Sequence, residues 1–314
     1  MAPSNRPGHE RVYVTLVTDS SRWDRYVPRA GDIIISTPPK AGTTWTQMIC
    51  ALLVFQRAEL GRPLGQISPW LDFRSADVDE ILANLESQSH RRFIKTHTPL
   101  DGLPYCEEVT YLYCGRDPRD VFLSFLNHWD NLTEEWHQRV AAAAELEEPP
   151  PAFPEDPNDL FPTWMTVGQT PWMSDGFPFG GVLYHTRTFW DQRKLPNVYF
   201  LHYDDLKADL AGEMRRLARQ LGIAVPEELW PHLVSAASFE SMKDAAARLA
   251  PLAEVGGWKD DRRFFHKGQT GQWRGVLSPK SLEVYDQVLA ALSPRSMAEW
   301  IQGGSRVAGN PKTL

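Results

Sequence analysis

An α/β fold, with a mainly parallel sheet flanked by helices, is predicted by three features of the 314-residue sequence. Strand-like and helix-like stretches alternate along the chain, the pattern of successive βαβ units. The first strand-like stretch, Ile33-Ile34-Ile35, is a short β-branched run without polar alternation, as expected of a strand covered on both faces. Four such stretches end in polar residues, and the C-terminal ends of strands are where open α/β sheets bind ligands. No internal repeat divides the chain, and residues 1–314 are read as one domain.

The elements follow in order. GDIIISTPPKAGTTWTQMICALLVFQ gives a strand ended by Pro38 and Pro39, then a helix from about Thr43. In that helix Trp45, Met48, Ile49, Leu52 and Phe55 recur at helical spacing and predict one apolar face. RRFIKTHTP (91–99) reads as a second strand with Thr96 and His97 at its end. EVTYLYCGRDPRDVFLSFLNHW holds a third strand over 109–114 and a helix with Asp117 at the N-cap and Pro118 at the first helical position. PNVYFLHYDDL (196–206) supplies a fourth strand, followed by a helix over about 207–221. Residues 141–162, rich in Ala, Glu and Pro, predict a flexible acidic surface insertion. Residues 251–275 lack periodicity and read as a long loop, and 303–314 as a disordered tail.

A formal net charge of −7 argues against broad nucleic-acid binding, yet leaves room for a local basic pocket that holds a small anion. Three cysteines without a CxxC predict neither a disulfide framework nor a zinc site. The N-terminal stretch MAPSNRPGHERVYV lacks an apolar signal-peptide core, and no run of about 18 apolar residues occurs. A soluble protein of the reducing cytoplasm is expected, without a membrane span.

The chemistry concentrates in TPPKAGTTW (37–45). Gly42 allows a ligand close to the backbone, the free amides of the following helix suit a phosphate, and Lys40, Thr43 and Thr44 add a charge and two hydroxyls. The pattern GxxxxGK[ST] is absent, which weakens a magnesium-dependent nucleotide hydrolase. The same residues also fit an ordinary strand-to-helix turn.

TPPKAGTTW resembles the 5′-phosphosulfate-binding loop of the cytosolic sulfotransferase family, commonly TYPKSGTTW, with Pro39 for Tyr and Ala41 for Ser. The resemblance extends over about residues 31–285. It implies a single α/β domain related to nucleotide kinases and P-loop proteins. The implied reaction is in-line transfer of a sulfuryl group from 3′-phosphoadenosine 5′-phosphosulfate (PAPS) to a hydroxyl or amine of a small acceptor, without a metal. The nucleotide product is 3′-phosphoadenosine 5′-phosphate (PAP). On this resemblance Lys40 meets the bridging oxygen of the donor, and the amides of Ala41, Gly42, Thr43, Thr44 and Trp45 hold the 5′-phosphate. The Trp45 ring packs on the adenine, in competition with its reading as a core residue. IKTHTP resembles the strand end that supplies the base, His97, and the lysine that contacts the sulfonate, Lys95. Arg116 and Ser124 match the 3′-phosphate segment, Tyr203 and Phe239 the adenine-lining positions.

FFHKGQTGQW (264–273) resembles the RKGxxGxW loop that closes on the 3′-phosphate, so His266, Lys267 and Gly268 take those places, without the arginine. The family's dimer motif, KxxxTVxxxE, is altered here to Arg274, Ser278, Pro279 and Glu283, which leaves the oligomeric state open. Phe161, Trp164, Met165, Trp172, Phe177 and Phe179 are read either as the wall of an apolar acceptor pocket or as a small satellite core. Two rival classes stand beside the sulfotransferase reading: a kinase-like enzyme using ATP and magnesium, and a catalytically silent nucleotide binder.

Overall fold

In the computed structural model, which describes residues 10–150 and 152–314, four short strands form one parallel sheet in the order β2-β1-β3-β4. They are β1 (Ile33–Ser36), β2 (Phe93–Thr96), β3 (Thr110–Gly115) and β4 (Val198–His202). The register sets Ser36 beside Thr96 and Gly115 beside His202, so all four strands finish along one edge. Each expected strand is present: β1 and β3 lie within a residue of the expected bounds, and β2 and β4 occupy the middle of the 91–99 and 196–206 stretches.

The pleat divides the core in two. Ile33, Ile35, Phe93, Leu112, Cys114 and Leu201 face one apolar cluster, while Ile34, Ile94, Tyr111, Tyr113, Val198 and Phe200 face the other. The first cluster is filled by helix α1 (Thr43–Phe55) and the Leu210–Gln220 helix, the second by the Val182–Asp191, Pro279–Leu292 and Arg295–Gly303 helices. This is why the strands read as continuous hydrophobic runs.

Four expectations need correction. Helix α1 is buried on every side from Thr43 to Leu53 and not on one face, because it lies between the sheet and other helices. The helix expected over 207–221 is two, Tyr203–Ala208 and Leu210–Gln220, broken where Asp209 turns to cap the second by accepting from Gly212 N. The insertion over 141–162 begins inside the Glu134–Ala143 helix and ends inside the Pro157–Thr166 helix, where Phe161 is fully buried. Between them Phe153 packs on the Phe125, Trp129 and Phe179 rings, while Pro151 lies outside the described residues. The tail at 303–314 is ordered. Asp205 accepts from Ser305 N and Arg306 N at 2.7 and 3.1 Å, Lys312 Nζ donates to Leu195 O at 3.0 Å, and Pro311 is buried.

The helix start at Asp117 and Pro118 is as expected: Asp117 accepts from Arg119 N at 2.9 Å. Pro279 likewise opens the Pro279–Leu292 helix, with Ser278 as its N-cap, a position where a missing amide costs nothing. Among the described residues no helix is long and apolar enough to cross a membrane.

Candidate active site

The shared strand edge assembles the site. The loop Thr37–Gly42 leaves β1, His97 follows β2, Arg116 follows β3 and Tyr203 follows β4, around one cleft of about 270 Å³. Lys40, Gly42, Thr43, Thr44, Trp45, Lys95, His97, Arg116, Ser124, Tyr203, Phe239, His266, Lys267 and Gly268 all border it. Ala41 does not. Its side chain is buried in the core and its amide donates to Pro38 O at 3.2 Å, closing a tight turn, so that amide is turned away from the expected phosphate contact.

In that turn Pro39 precedes Lys40, whose φ is +66°. A proline second and a left-handed residue third is the pattern of a type II turn, normally completed by glycine. A lysine there costs about 1 kcal/mol or more. Arg116 Nη1 holds the strained residue by donating to Lys40 O at 3.1 Å. Gly42 then caps α1 at φ +113° without a side-chain bond, leaving the first helical amides open to an anion. A Cβ at Gly42 would stand tight, 3.3 Å from Cys114 Sγ, and in ordinary contact, 3.5 Å, with the Tyr203 ring, so the positive φ is what calls for glycine here.

Around this cradle the groups fit a nucleotide with two anionic ends. Trp45 belongs both to the core and to the cleft wall: it is 9% exposed, donates Nε1–H to Ala237 O at 2.8 Å, and lies 5.3 Å from the Tyr203 ring at the cleft. The Arg116 guanidinium lies 4.1 Å over the Tyr203 ring and donates from Nη2 to Gln269 O at 3.2 Å, while its buried Nε has no partner among the described residues. An orphaned guanidinium nitrogen is a place for an anionic oxygen. The Phe264–Trp273 loop is fastened by Asp120, which accepts from Gly271 N and Gln272 N at 2.7 Å each. Gly268 (φ +60°) lies so close on Phe239 that a Cβ would come within 2.6 Å of that ring. His266 is held low in pKa by burial and by the charges of Lys267, Arg263, Lys243 and Lys40.

At the other end two lysines and two imidazoles converge. Burial, with the charges of Arg116 and Lys95, lowers the Lys40 pKa to about 7. Burial lowers Lys95 to about 8, against the opposing pull of Asp72. Lys40 Nζ lies 4.1 Å from the Phe264 ring centre and 3.2 Å from His128 Nδ1, and Lys95 Nζ lies 4.1 Å over Trp70. His97 Nδ1 is 2.7 Å from Thr37 O. A carbonyl only accepts, so Nδ1 carries the proton and Nε2 offers a lone pair. Burial and the nearby Lys95 charge push the His97 pKa well below its ordinary value, which keeps the ring neutral.

Asp72, unremarked in the sequence, fixes this strand end: its carboxylate accepts from Thr96 Oγ1 at 2.5 Å and Thr98 Oγ1 at 2.6 Å, the residues either side of His97, and from Trp23 Nε1 at 3.0 Å.

The remaining wall is apolar, and the stretch read as either acceptor wall or satellite core divides between the two. Phe161, Trp164 and Met165 are fully buried core, and Trp172 and Phe177 are exposed; of that stretch Phe179 faces the cleft. Trp70, Phe73, Phe125, Trp129, Trp136 and Trp258 line it as well. They come from four separate parts of the chain, so no single local pattern marked them. A polar, basic pocket continuous with an aromatic one suits an anionic donor beside an apolar acceptor.

A family model described as "Sulfotransferase domain" matches residues 30–301. The chain belongs to the sulfotransferase family. The enzyme is 39% identical to "Glycolipid sulfotransferase" of Mycobacterium bovis (strain BCG / Pasteur 1173P2), across 96% of this chain and 98% of that one. Among solved structures, mouse sulfotransferase SULT7A1 complexed with PAP aligns with TM-score 0.64 and 19% identity, covering 88% of this chain and 89% of its own. Retinol dehydratase in complex with androsterone and PAP aligns with TM-score 0.65 and 22% identity, covering 87% and 85%. These likenesses establish the fold, a single α/β domain shared with known sulfotransferases. Among the described residues no cluster of metal-ligating side chains occurs.

Proposed function

We propose that this sulfotransferase takes its sulfuryl group from PAPS and passes it in line to a hydroxyl of an amphiphilic acceptor, with His97 as the base. The observation that carries the reading is the His97 tautomer: Nδ1–H is spent on Thr37 O, leaving a neutral Nε2 lone pair in a cleft that Lys40 and Lys95 also border. The α1 amides from Gly42 to Trp45 and the Thr43 and Thr44 hydroxyls hold the 5′-phosphate. Arg116, Ser124, Lys267 and His266 hold the 3′-phosphate, and Trp45, Tyr203 and Phe239 flank the adenine. As the acceptor oxygen bonds to sulfur, its proton goes to His97 Nε2. The bond from sulfur to the bridging oxygen breaks, and the negative charge left on that oxygen is met by Lys40, that of the sulfonate by Lys95. PAP then leaves.

An amphiphilic acceptor fits the aromatic wall, which can cover an alkyl chain or the apolar face of a sugar, and fits the 39% identical glycolipid enzyme. Three free thiols, Cys50, Cys106 and Cys114, suit action in the cytoplasm. Transfer of radiolabel from PAPS to a panel of glycolipids and alcohols tests the reading, with His97→Ala as control. That variant should lose about 10²- to 10⁴-fold in turnover while binding PAP as the wild type does. Turnover above half the wild-type rate at saturating acceptor removes His97 as the base.

A further inference from the structure

Besides His97, His185 and His266, the cleft is bordered by His128, whose hydrogen bonding is the reverse of that of His97. His128 comes from the Pro118–Asp130 helix and borders the same cavity as His97. Its ring is fixed in orientation: it meets Trp258 edge-on at 4.7 Å and Phe264 at 5.8 Å, and lies 5.8 Å from Phe125. Its Nδ1 faces Lys40 Nζ at 3.2 Å. With the anionic donor seated, Lys40 is an ammonium, which has only protons to give. His128 Nδ1 must then accept, and the ring's one proton resides on Nε2. Burial, with the charges of Lys40, Lys95 and His97, keeps the ring from taking a second proton. Among the described residues, Nε2 makes no hydrogen bond.

One cleft thus carries two neutral imidazoles in opposite tautomers. His97 has a lone pair to receive the proton of the reacting hydroxyl. His128 has an N–H to give, and a group that only donates at that atom cannot serve as a base there. An N–H beside the reacting centre asks for an oxygen that the reaction does not consume.

Building on the proposed sulfuryl transfer, we infer that His128 Nε2–H binds a second oxygen of the acceptor, so that the site selects vicinal diols and sugar-like hydroxyl pairs over isolated alcohols. The aromatic wall holds the apolar part of the molecule, His97 takes the reacting hydroxyl, and His128 holds its neighbour. Lys40 bonds both the donor and His128, so the second oxygen is gripped most firmly when the donor is in position.

The test compares 1-octanol with 1,2-octanediol, which share a chain and differ by one adjacent hydroxyl. Transfer from radiolabelled PAPS gives kcat/KM for each. The wild type should favour the diol by roughly 2- to 13-fold beyond the count of hydroxyls, the worth of one neutral hydrogen bond. His128→Phe keeps a flat ring between Trp258 and Phe264 but removes the N–H, and the preference should collapse to the hydroxyl count. Loss of the Lys40 contact lowers both alcohols alike and leaves their ratio untouched, so the ratio reports the hydroxyl contact alone. His128→Gln restores an N–H donor and should restore part of the preference. A diol preference that survives His128→Phe overturns the inference, as does a wild type that transfers to other acceptors but favours neither alcohol. Failure of the wild type to bind PAP by calorimetry overturns instead the sulfuryl-transfer reading beneath it.

Discussion

Binding of PAP should draw protons out of solution. Burial lowers Lys40 to about 7 and Lys95 to about 8, and Lys40 also feels the Arg116 and Lys95 charges. An anion among these groups restores the ammonium form. At pH 7.5 roughly three-quarters of Lys40 and one-quarter of Lys95 are neutral before binding, so uptake is about one proton per site, rising to about 1.7 at pH 8.5. The ligand's phosphates shed protons only nearer pH 6, outside this window. Isothermal titration calorimetry in two buffers of different ionisation enthalpy reads the number directly. Lys40→Met should cut the uptake at pH 7.5 by about three-quarters of a proton, the Lys40 share.

The same shift has a second face. The folded Lys40 pKa lies below its ordinary 10.5, so the unfolded chain binds the extra proton between about pH 7 and 10.5. Stability of the free protein therefore gains from Lys40 as pH rises through that window, and Lys40→Met removes this part of the slope. Equal binding enthalpies in the two buffers at pH 7.5, or an uptake unmoved by Lys40→Met, would refute the argument.

Three further outcomes are expected. Arg116→Ala should weaken PAP by about 1.5–3 kcal/mol, the loss of a charge-assisted bond, and barely change AMP, which lacks the 3′-phosphate; equal losses in calorimetry count against it. Asp120→Asn leaves one good acceptor for the amides of Gly271 and Gln272, and by freeing the loop should weaken PAP roughly 5- to 100-fold; unchanged affinity shows that the loop holds without it. His266 is held low in pKa by burial and four cations, which a phosphate dianion offsets, so PAP binding should tighten from pH 8 to 6.5 more steeply than Lys40 and Lys95 alone require, and His266→Arg should bind tighter at pH 8 and leave only the lysine part of the slope. A His266→Ala variant with the full wild-type profile shows that the ring points elsewhere.

The half of the site proposed for the donor was legible because its residues sit at the ends of strands and the start of one helix, where the chain sequence and the spatial arrangement coincide. TPPKAGTTW, IKTH and GRDP are each one strand end, and the parallel sheet aligns them. The acceptor half was not. Trp70, Phe73, Trp136 and Trp258 meet across more than 180 residues of sequence, and an isolated tryptophan in a loop looks the same whether it lines a cavity or a core. Asp72 and Asp120 escaped notice for a related reason: their meaning lies in partners, Thr98 and Gly271, that only the fold supplies. The tail at 303–314 read as disorder because glycine and polar residues dominate it, although Asp205 and Pro311 anchor it.

The burial of α1 on every side also bears on how such an enzyme can change over time. The amides proposed to hold the donor belong to a helix with no free face, so nearly any substitution from Thr43 to Leu53 disturbs packing. The acceptor wall is drawn from loops and outer helices, several of whose residues, such as Phe153 and Phe264, are only partly covered. Mutational drift is therefore channelled: new acceptors can be explored residue by residue on one side of the cleft, while the other side stays fixed and keeps the same donor chemistry.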